Sequence, residues 1–266
     1  MNVAGKVIVV TGGGNGIGRQ VALECVRRGA RVAAVDISQE GLDGTTELAA
    51  AGDRVVTFTV DLTDRAAVDA LPQQVAEALG TADGLIHVAG IIQPFVHVVD
   101  LDFAAIERVL DVNLYGTLNT VKAFLPVLLE RPEAHLANVS SMGGFLPVPG
   151  QTIYGASKAA VRLLTEGLYA ELLDSSVGVS VVFPGAVSTD ITTNSGVDVP
   201  GAAAQEGSRY PTTSAEDAGR MIVDGIEAGK LHIFVGRDAR LMNLANRLAP
   251  RRSTHLIQSR MKDLLD

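Results

Sequence analysis

The feature that most restricts how this chain can fold is an alternation of short apolar runs with longer amphipathic stretches, which continues to about residue 235. Runs such as KVIVV and VSVVF are apolar throughout, as expected of strands that are covered on both faces. The stretches between the runs repeat their apolar residues at helical spacing. This order predicts an α/β fold in which a parallel sheet carries helices on both faces. The predicted strands are Lys6–Thr11, Arg31–Asp36, Arg54–Asp61, Gly84–Ala89, His135–Val139, Val177–Phe183 and Leu231–Val235, and the predicted helices include Ile17–Arg28, Ala66–Leu79 and Ile153–Leu173.

Charge and cysteine content exclude several classes of protein. The 266 residues carry a net charge of −8, which argues against a nucleic-acid partner because phosphate binding needs a basic face. The one cysteine, Cys25, falls on the apolar side of a predicted helix, so we expect a buried thiol and no internal disulfide. The sequence shows neither a secretory signal pattern nor the roughly 18 apolar residues of a membrane span. The cytoplasm is therefore the expected location.

Two segments depart from the alternation. Residues 188–211 are rich in Gly, Ala, Ser and Thr and follow a strand end, which predicts a mobile lid over a substrate or, alternatively, a plain surface loop. Residues 237–266 carry seven Lys/Arg against three Asp/Glu and are predicted to form a helical extension. We expect it to pack on its own body or on a partner subunit, with peripheral membrane contact as the alternative. Its apolar residues at helical spacing are Leu256, Ile257, Met261, Leu264 and Leu265.

A glycine-rich turn follows the first predicted strand. The turn reads TGGGNGIG and leads directly into a helix, with the spacing Gly12-x-x-x-Gly16-x-Gly18 instead of the literal G-x-G-x-x-G string. Glycines let backbone N–H groups approach a pyrophosphate, and the helix N-terminus favours the anion. A glycine cluster alone is also typical of an ordinary turn.

The end of the second predicted strand makes a dinucleotide site the better interpretation. Asp36 ends this strand 18 residues after Gly18. An acidic side chain there can bind both hydroxyls of an adenosine ribose, and it repels a 2′-phosphate. Neither Asn15 nor Ile37 offers a cation for that phosphate, so NAD is favoured over NADP. The alternative role of Asp36 as a helix N-cap is weaker because Ser38 can fill it.

Three side chains further along form a candidate catalytic group. Tyr154 and Lys158 are four residues apart at the start of a predicted helix and therefore share a face. A free tyrosine titrates near pH ~10, and one cation about 4 Å away supplies roughly the 4 kcal/mol needed to bring that pKa near 7. We therefore expect Lys158 to make Tyr154 a general acid and base. Ser141 ends a predicted strand and could donate to a substrate oxygen, although it could equally be a turn serine.

Together these features resemble the short-chain dehydrogenase/reductase family over about residues 4–236. The resemblance implies a single Rossmann-like, doubly wound domain with a seven-stranded sheet, and a homodimer or homotetramer. It implies that Tyr154 is the general acid/base, that Lys158 lowers its pKa, that Ser141 polarises the carbonyl and that Asn113 supports a proton relay. The residues it implies for cofactor binding are Gly12, Asn15, Gly16, Ile17, Gly18, Asp36, Ile37, Asp61, Leu62, Ala89, Gly90, Tyr154, Lys158, Pro184, Gly185, Val187 and Thr189.

One motif departs from the family pattern. The family's Asn-Asn-Ala-Gly stands here as His87-Val88-Ala89-Gly90, which preserves the close backbone approach at Ala89 and Gly90. We expect the missing asparagines to change hydrogen bonds that brace the central strands. His87 lies inside a predicted strand and is interpreted as structural. No histidine, cysteine or carboxylate grouping has metal spacing, and the hydrolase motif Gly-x-Ser-x-Gly is absent.

The resulting hypothesis is hydride transfer between NAD(H) and a secondary alcohol or ketone, with oxidation the favoured direction. Alternatives are an epimerase or lyase that uses bound NAD, and a non-catalytic dinucleotide sensor. An apolar cleft wall would suit a steroid, terpenoid, fatty or aromatic alcohol, whereas core packing would leave the substrate open. The residues predicted for that wall are Phe95, Val96, Phe145, Leu146, Pro147 and Val148.

Overall fold

The computed structural model describes residues 1–189, 191–197 and 212–261 and contains the predicted parallel sheet. Its seven strands lie in the order β3-β2-β1-β4-β5-β6-β9, and every pairing in this sheet is parallel. Two short strands, β7 and β8, pair separately. The strands are β1 Val7–Thr11, β2 Arg31–Asp36, β3 Val55–Thr59, β4 Gly84–His87, β5 Ala134–Val139, β6 Val177–Pro184, β7 Val187–Ser188, β8 Thr213–Ser214 and β9 His232–Val235.

Helices cover both faces of the sheet, which confirms the doubly wound α/β prediction. Alternate residues of β1 point to opposite layers: Val7 and Val9 pack on the side of α3 and α5, and Ile8 and Val10 on the side of α1 and α8. The helices are α1 Gly16–Arg27, α2 Gln39–Ala49, α3 Arg65–Leu79, α4 Phe103–Leu110, α5 Gly116–Leu129, α6 Thr152–Glu171, α7 Ile191–Ser195, α8 Ala215–Glu227, α9 Arg237–Leu248 and α10 Pro250–Met261.

The strand order changes direction between β1 and β4. The chain moves outward from β1 to β2 and β3, and then returns to place β4 on the other side of β1. Thr11 and His87 end these two neighbouring strands in register with each other. Open α/β sheets bind ligands at such a switch point, beyond the carboxyl ends of the strands.

Cys25 lies in the core as expected. Its side chain is fully buried on α1. Burial raises the pKa of the Cys25 thiol to about 12, so the group stays protonated at neutral pH. A thiol in this state is a packing group and a poor nucleophile.

The two irregular segments contain more regular structure than the sequence predicted. The segment 188–211 includes the helix α7, while residues 190 and 198–211 lie outside the described residues. The extension forms two helices because Pro250, which lacks a backbone N–H, starts α10. Of the predicted tail face, Ile257 is buried, Leu256 is partly exposed, and Leu264 and Leu265 lie outside the described residues.

Candidate active site

A cleft of about 830 Å³ lies beyond the carboxyl ends of the central strands, and its walls come from both sides of the switch point. It is lined by all the residues predicted to contact a cofactor. Ser141, Tyr154 and Lys158 also line it. The structure therefore brings together residues from seven separate segments of the sequence.

The glycine turn at one end of the cleft leaves room for backbone atoms alone. A Cβ on Gly12, which has φ +66°, would lie 2.9 Å from the backbone nitrogen of Ala89. A Cβ on Gly18 would overlap the carbonyl oxygen of Gly12. Asn15 caps α1 by accepting a 2.7 Å hydrogen bond from the backbone N–H of Gly16. This cradle of glycines at a helix N-terminus fits the pyrophosphate of a dinucleotide.

Asp36 is fixed beside this turn. One carboxylate oxygen accepts the backbone N–H of Gly14 at 2.9 Å, and the other accepts that of Ser38 at 3.0 Å. Ser38 also caps α2, as expected, through its hydroxyl and the backbone N–H of Gly41. The Asp36 side chain lines the cleft, where its remaining lone pairs suit a ribose diol.

Arg19 is a nearby cation that the sequence interpretation overlooked. Its guanidinium donates to the carbonyl oxygens of Gly14 and Gly41 and to the hydroxyl of Thr45. These bonds hold the charge against the glycine turn and α2. The guanidinium therefore ties the turn to α2 through Nε and one terminal nitrogen, Nη2, both of which are engaged by protein oxygens.

Ser141 and Tyr154 meet where the end of β5 faces the first turn of α6. The loop between them approaches closely, because a Cβ on Gly143 would lie 3.3 Å from the Tyr154 ring. A hydrogen bond from Ser141 lowers the pKa of Tyr154, but burial raises it by more, so the net shift is upward. Desolvation of the phenolate therefore opposes the lowering of this pKa that is predicted for Lys158.

Lys158 is buried one turn further along α6. Its ammonium donates a 3.1 Å hydrogen bond to the carbonyl oxygen of Val139, and burial lowers its pKa to about 8. Gly90 makes room for it, since a Cβ there would lie 2.8 Å from the Lys158 nitrogen. The ammonium is therefore held between the ends of β4 and β5.

Asn113 lies behind the cleft wall and does not line the cleft. It sits in a π-helical turn, Asp111–Tyr115, between α4 and α5. Its amide oxygen accepts the N–H of Ile91 at 2.8 Å, and its amide nitrogen donates to the Ile91 carbonyl and to the Ser157 hydroxyl. The side chain is thus fully engaged in bracing the segment after β4, and its predicted part in a proton relay stays a prediction.

The predicted apolar wall is largely misplaced. Phe95, Val96, Phe145, Leu146, Pro147 and Val148 are not among the residues that line the cleft. Leu146 is buried in the core, and Phe145 packs edge-on against Phe183 with their ring centroids 5.6 Å apart. Phe145 and Leu146 directly follow the short 3₁₀ turn Met142–Gly144, which lies against the backbone of α6 at Lys158. Apolar side chains do line the cleft, but they are Ile91, Ile92, Val112, Val139 and Ile191.

His87 is completely buried and links the two central strands. Its Nδ1 lies 3.1 Å from the Thr11 hydroxyl and 3.0 Å from that of Thr120. The Thr11 hydroxyl oxygen also accepts the backbone N–H groups of Val88 and Ala89. Burial, aided by the charge of Lys158, lowers the pKa of His87 to about 3. A neutral, hydrogen-bonded histidine agrees with the structural interpretation.

Two further residues, neither of them predicted individually from the sequence, support the site from α9 and α7. Asp238 of α9 accepts the backbone N–H of Ala186 at 2.8 Å, next to the predicted cofactor residues Gly185 and Val187. Ser195 of α7 is buried and accepts the backbone N–H of Ile92 at 3.0 Å. No local motif marks either residue, since each acts on a segment far away in sequence.

Other kinds of site find no support in the described ranges 1–189, 191–197 and 212–261. Within them, no group of three His, Cys, Asp or Glu side chains is placed to hold a metal ion. No helix there has the length and apolar character to cross a bilayer.

Comparison with known proteins agrees with this fold and cleft. The family model for short-chain dehydrogenases matches residues 6–199. The oxidoreductase SadH of Mycobacterium tuberculosis is 36% identical over 251 residues, which cover 92% of this chain and 91% of that protein.

Solved structures show the same similarity. A short-chain dehydrogenase/reductase from Burkholderia phymatum in complex with NAD superposes with a TM-score of 0.83 at 29% identity, over 93% of this chain and 96% of that one. A short-chain dehydrogenase from Burkholderia cenocepacia in complex with NADP gives 0.80 at 27% identity, over 97% and 99%. The chain belongs to the short-chain dehydrogenase family and is an oxidoreductase of that family with a nicotinamide dinucleotide cofactor.

Proposed function

We propose that this protein interconverts a secondary alcohol and a ketone with NAD(H), and that Tyr154 transfers the hydroxyl proton. The observation that supports this most directly is the convergence of Ser141, Tyr154 and Lys158 on a cleft whose other end is the glycine cradle. A pyrophosphate in that cradle leaves the rest of an extended dinucleotide to run towards Tyr154. The reacting carbon would lie where these three side chains meet.

Each of the three side chains has a separate task in the proposed reaction. When bound, the dinucleotide supplies the hydride acceptor or donor. Tyr154 takes the hydroxyl proton from the alcohol, or returns it to the carbonyl oxygen in the reverse direction. Ser141, which already bonds to Tyr154, donates to the same substrate oxygen and stabilises the charge that develops there.

Lys158 supplies the positive charge that the phenolate needs. Because burial opposes ionisation of Tyr154, its basic form depends on nearby cations. The ammonium of Lys158 lies one helical turn from Tyr154 on α6 and is anchored by the carbonyl oxygen of Val139. We propose that it stabilises the phenolate and binds the nicotinamide ribose.

The preference for NAD rests on Asp36. Its carboxylate lines the cleft and is held by the backbone of Gly14 and Ser38, so it cannot turn away from a bound ribose without breaking both bonds. A 2′-phosphate would meet this charge, while the nearby guanidinium of Arg19 is engaged by carbonyl oxygens. We propose alcohol oxidation as the working direction because cells keep NAD mostly oxidised.

The substrate is proposed to be apolar. The lining of the cleft near the catalytic group includes Ile91, Ile92, Val112 and Ile191, which offer few hydrogen bonds to a polyol. A steroid, terpenoid, fatty or aromatic alcohol would bury apolar area against them. These residues take the place of Phe145 and its neighbours as the proposed apolar wall.

The test is a panel of secondary alcohols followed by NADH absorbance, with wild type beside Tyr154→Phe. We expect the variant to lose about 10²- to 10⁴-fold in kcat while it binds NADH normally. The matched control is Tyr169→Phe, a half-exposed tyrosine on the same helix, which should keep full activity. Equal turnover by wild type and Tyr154→Phe would refute the mechanism. NADH binding without net NADH production would instead favour an epimerase, a lyase or a sensor.

We also propose that the protein is a cytoplasmic homodimer or homotetramer. Leu163 of α6 is more than half exposed, as is Leu173 just beyond the end of this helix, and the exposed Tyr169 lies on α6 as well. In α9, Leu241, Leu244 and Leu248 are likewise exposed, which suits contact with a partner subunit. Sedimentation of the pure protein tests this, and a monomer at micromolar concentration would contradict it. Binding to anionic liposomes would favour the membrane alternative for α9.

A further inference from the structure

Gln93 is a buried polar residue on the segment that follows β4. Its side chain is completely buried and does not line the cleft. Its amide oxygen accepts two backbone N–H groups of α6, from Ile153 at 2.7 Å and from Tyr154 at 3.0 Å. Because both partners are donors, the oxygen of the amide must face them, which fixes the orientation of the group.

The N-terminus of α6 depends on these two bonds. The first N–H groups of a helix have no partner within the helix and need an acceptor from elsewhere. The residue in the capping position, Gln151, makes no side-chain capping bond to α6. Its amide nitrogen donates instead to the carbonyl oxygen of Gln93 at 2.7 Å. Gln93 therefore caps the catalytic helix from a segment about 60 residues earlier in the chain.

The segment that carries Gln93 is itself firmly held. Asn113 bonds to both the N–H and the carbonyl of Ile91. The N–H of Ile92 donates to the hydroxyl of Ser195 in α7. Three consecutive residues thus connect the π-helical turn, α7 and the start of α6. A capping group on so rigid a support can define the position of the helix end.

We propose that Gln93 is a positioning residue for Tyr154: it holds the backbone of the tyrosine so that the phenol stays in reach of Ser141 and of the substrate oxygen. This inference rests on the proposed function. The bond is made to the backbone nitrogen of Tyr154 itself, so a change at Gln93 reaches the phenol through a single residue. Proton transfer is sensitive to such changes, because a displacement of about 1 Å can cost roughly 100-fold in rate.

Two variants separate this role from simple stabilisation. Gln93→Leu keeps the volume and removes the acceptor, and we expect kcat to fall by about 10- to 100-fold while KM for NAD changes less than twofold. Gln93→Glu keeps a carboxyl oxygen in the same place, and we expect it to recover kcat to within about fivefold of wild type. The stability control is Ser180→Ala, which removes buried bonds to His135 and Lys230 away from the cleft. It should lower the Tm and leave kcat unchanged.

Hydrogen exchange gives a readout that needs no substrate. In Gln93→Leu the amides of Ile153 and Tyr154 should exchange at least about tenfold faster than in wild type, and in Gln93→Glu they should remain protected. A Gln93→Leu protein with wild-type kcat, or with unchanged protection of both amides, would overturn the proposal. If wild type oxidises no alcohol, the proposed function fails, and the exchange of these two amides alone decides whether Gln93 holds the tyrosine.

Discussion

The two ends of the cleft are built in different ways. At the dinucleotide end, backbone contacts shape the site: a Cβ on Gly12 would meet the backbone of Ala89, and one on Gly18 would meet the carbonyl oxygen of Gly12. At the catalytic end, side-chain hydrogen bonds join distant residues: Gln93 and Tyr154 are 61 positions apart, and Ile92 and Ser195 are 103 apart. The first end is shaped by backbone that has no room for a side chain. The second is held by side-chain hydrogen bonds between separate segments.

This difference explains which changes each end should tolerate. A glycine that contacts backbone can be replaced only if the main chain moves, since a carbonyl oxygen cannot rotate away. A side-chain hydrogen bond can be removed at the cost of one unsatisfied group, about 1–3 kcal/mol if that group is buried. We therefore expect steep losses of stability at the dinucleotide end and graded losses of rate or affinity at the catalytic end.

The largest effect is expected for Gly18→Ala. The added Cβ would overlap the carbonyl oxygen of Gly12, so the turn must open, at a cost of roughly 3 kcal/mol or more in the free energy of unfolding. Urea denaturation and NADH titration measure the two consequences. Gly167→Ala is the matched control, because a Cβ at that helical position meets nothing within 4 Å. If both variants were equally stable, backbone contact would not be what constrains the turn.

The next effect concerns cofactor choice at the same end. Asp36→Ser removes the charge that would repel a 2′-phosphate, and it weakens the hydrogen bonding to the two hydroxyls of the adenosine ribose. We expect the ratio of kcat/KM for NAD to that for NADP to fall by about 10- to 100-fold, the value of one charge-assisted hydrogen bond. Asp43→Ser, on an exposed part of α2, is the control. An unchanged ratio would show that Asp36 does not select the cofactor.

A third prediction concerns His87, which bonds to Thr11 of β1 and to Thr120 of α5. Its pKa is about 3 in the folded protein and near 6.5 in the unfolded chain, so the unfolded state binds the extra proton as pH falls below 6.5. The stability that neutral His87 provides is complete above pH 6.5 and is lost progressively towards pH 3. Between pH 7 and pH 5 this loss amounts to about 2 kcal/mol.

The measurement is urea denaturation at several pH values for wild type and His87→Asn. In the variant, the free energy of unfolding should lose the part of its pH dependence that is due to His87. It should keep the part due to His135, because burial lowers the pKa of His135 to about 4. Identical slopes for the two proteins would mean that His87 is not held neutral in the fold.

The smallest effect is expected for Ser195→Ala. The change removes the acceptor for the N–H of Ile92 and loosens α7 from the cleft wall. We expect KM for the alcohol to rise about fivefold, equivalent to about 1 kcal/mol, with little change in kcat. Thr193→Ala, exposed on the same helix, should leave KM unchanged. A similar KM for both variants would show that Ser195 does not help to shape the catalytic end of the cleft.

The same contrast explains what the sequence could predict. Every strand of the main sheet was predicted because continuous apolar runs are local signals, and the turn at Gly12–Gly18 is a local motif. Ser141, Tyr154 and Lys158 were placed on the cleft because each lies at a strand end or on a helix face. Phe145 and Leu146 were misplaced because a single 3₁₀ turn decides where they point. Gln93 and Asp238 were missed because their partners lie far away in the chain.

The bond between Asp238 and Ala186 ties α9 to the segment that holds the predicted cofactor residues Gly185 and Val187. If α9 were detached from the body, that segment would lose this support, so we expect detachment and cofactor affinity to share one coupling free energy. By reciprocity, a bound dinucleotide must hold α9 in place by the same factor by which α9 strengthens its binding. We therefore expect cofactor binding in the cleft to stabilise the position of α9, which carries the exposed Leu241, Leu244 and Leu248.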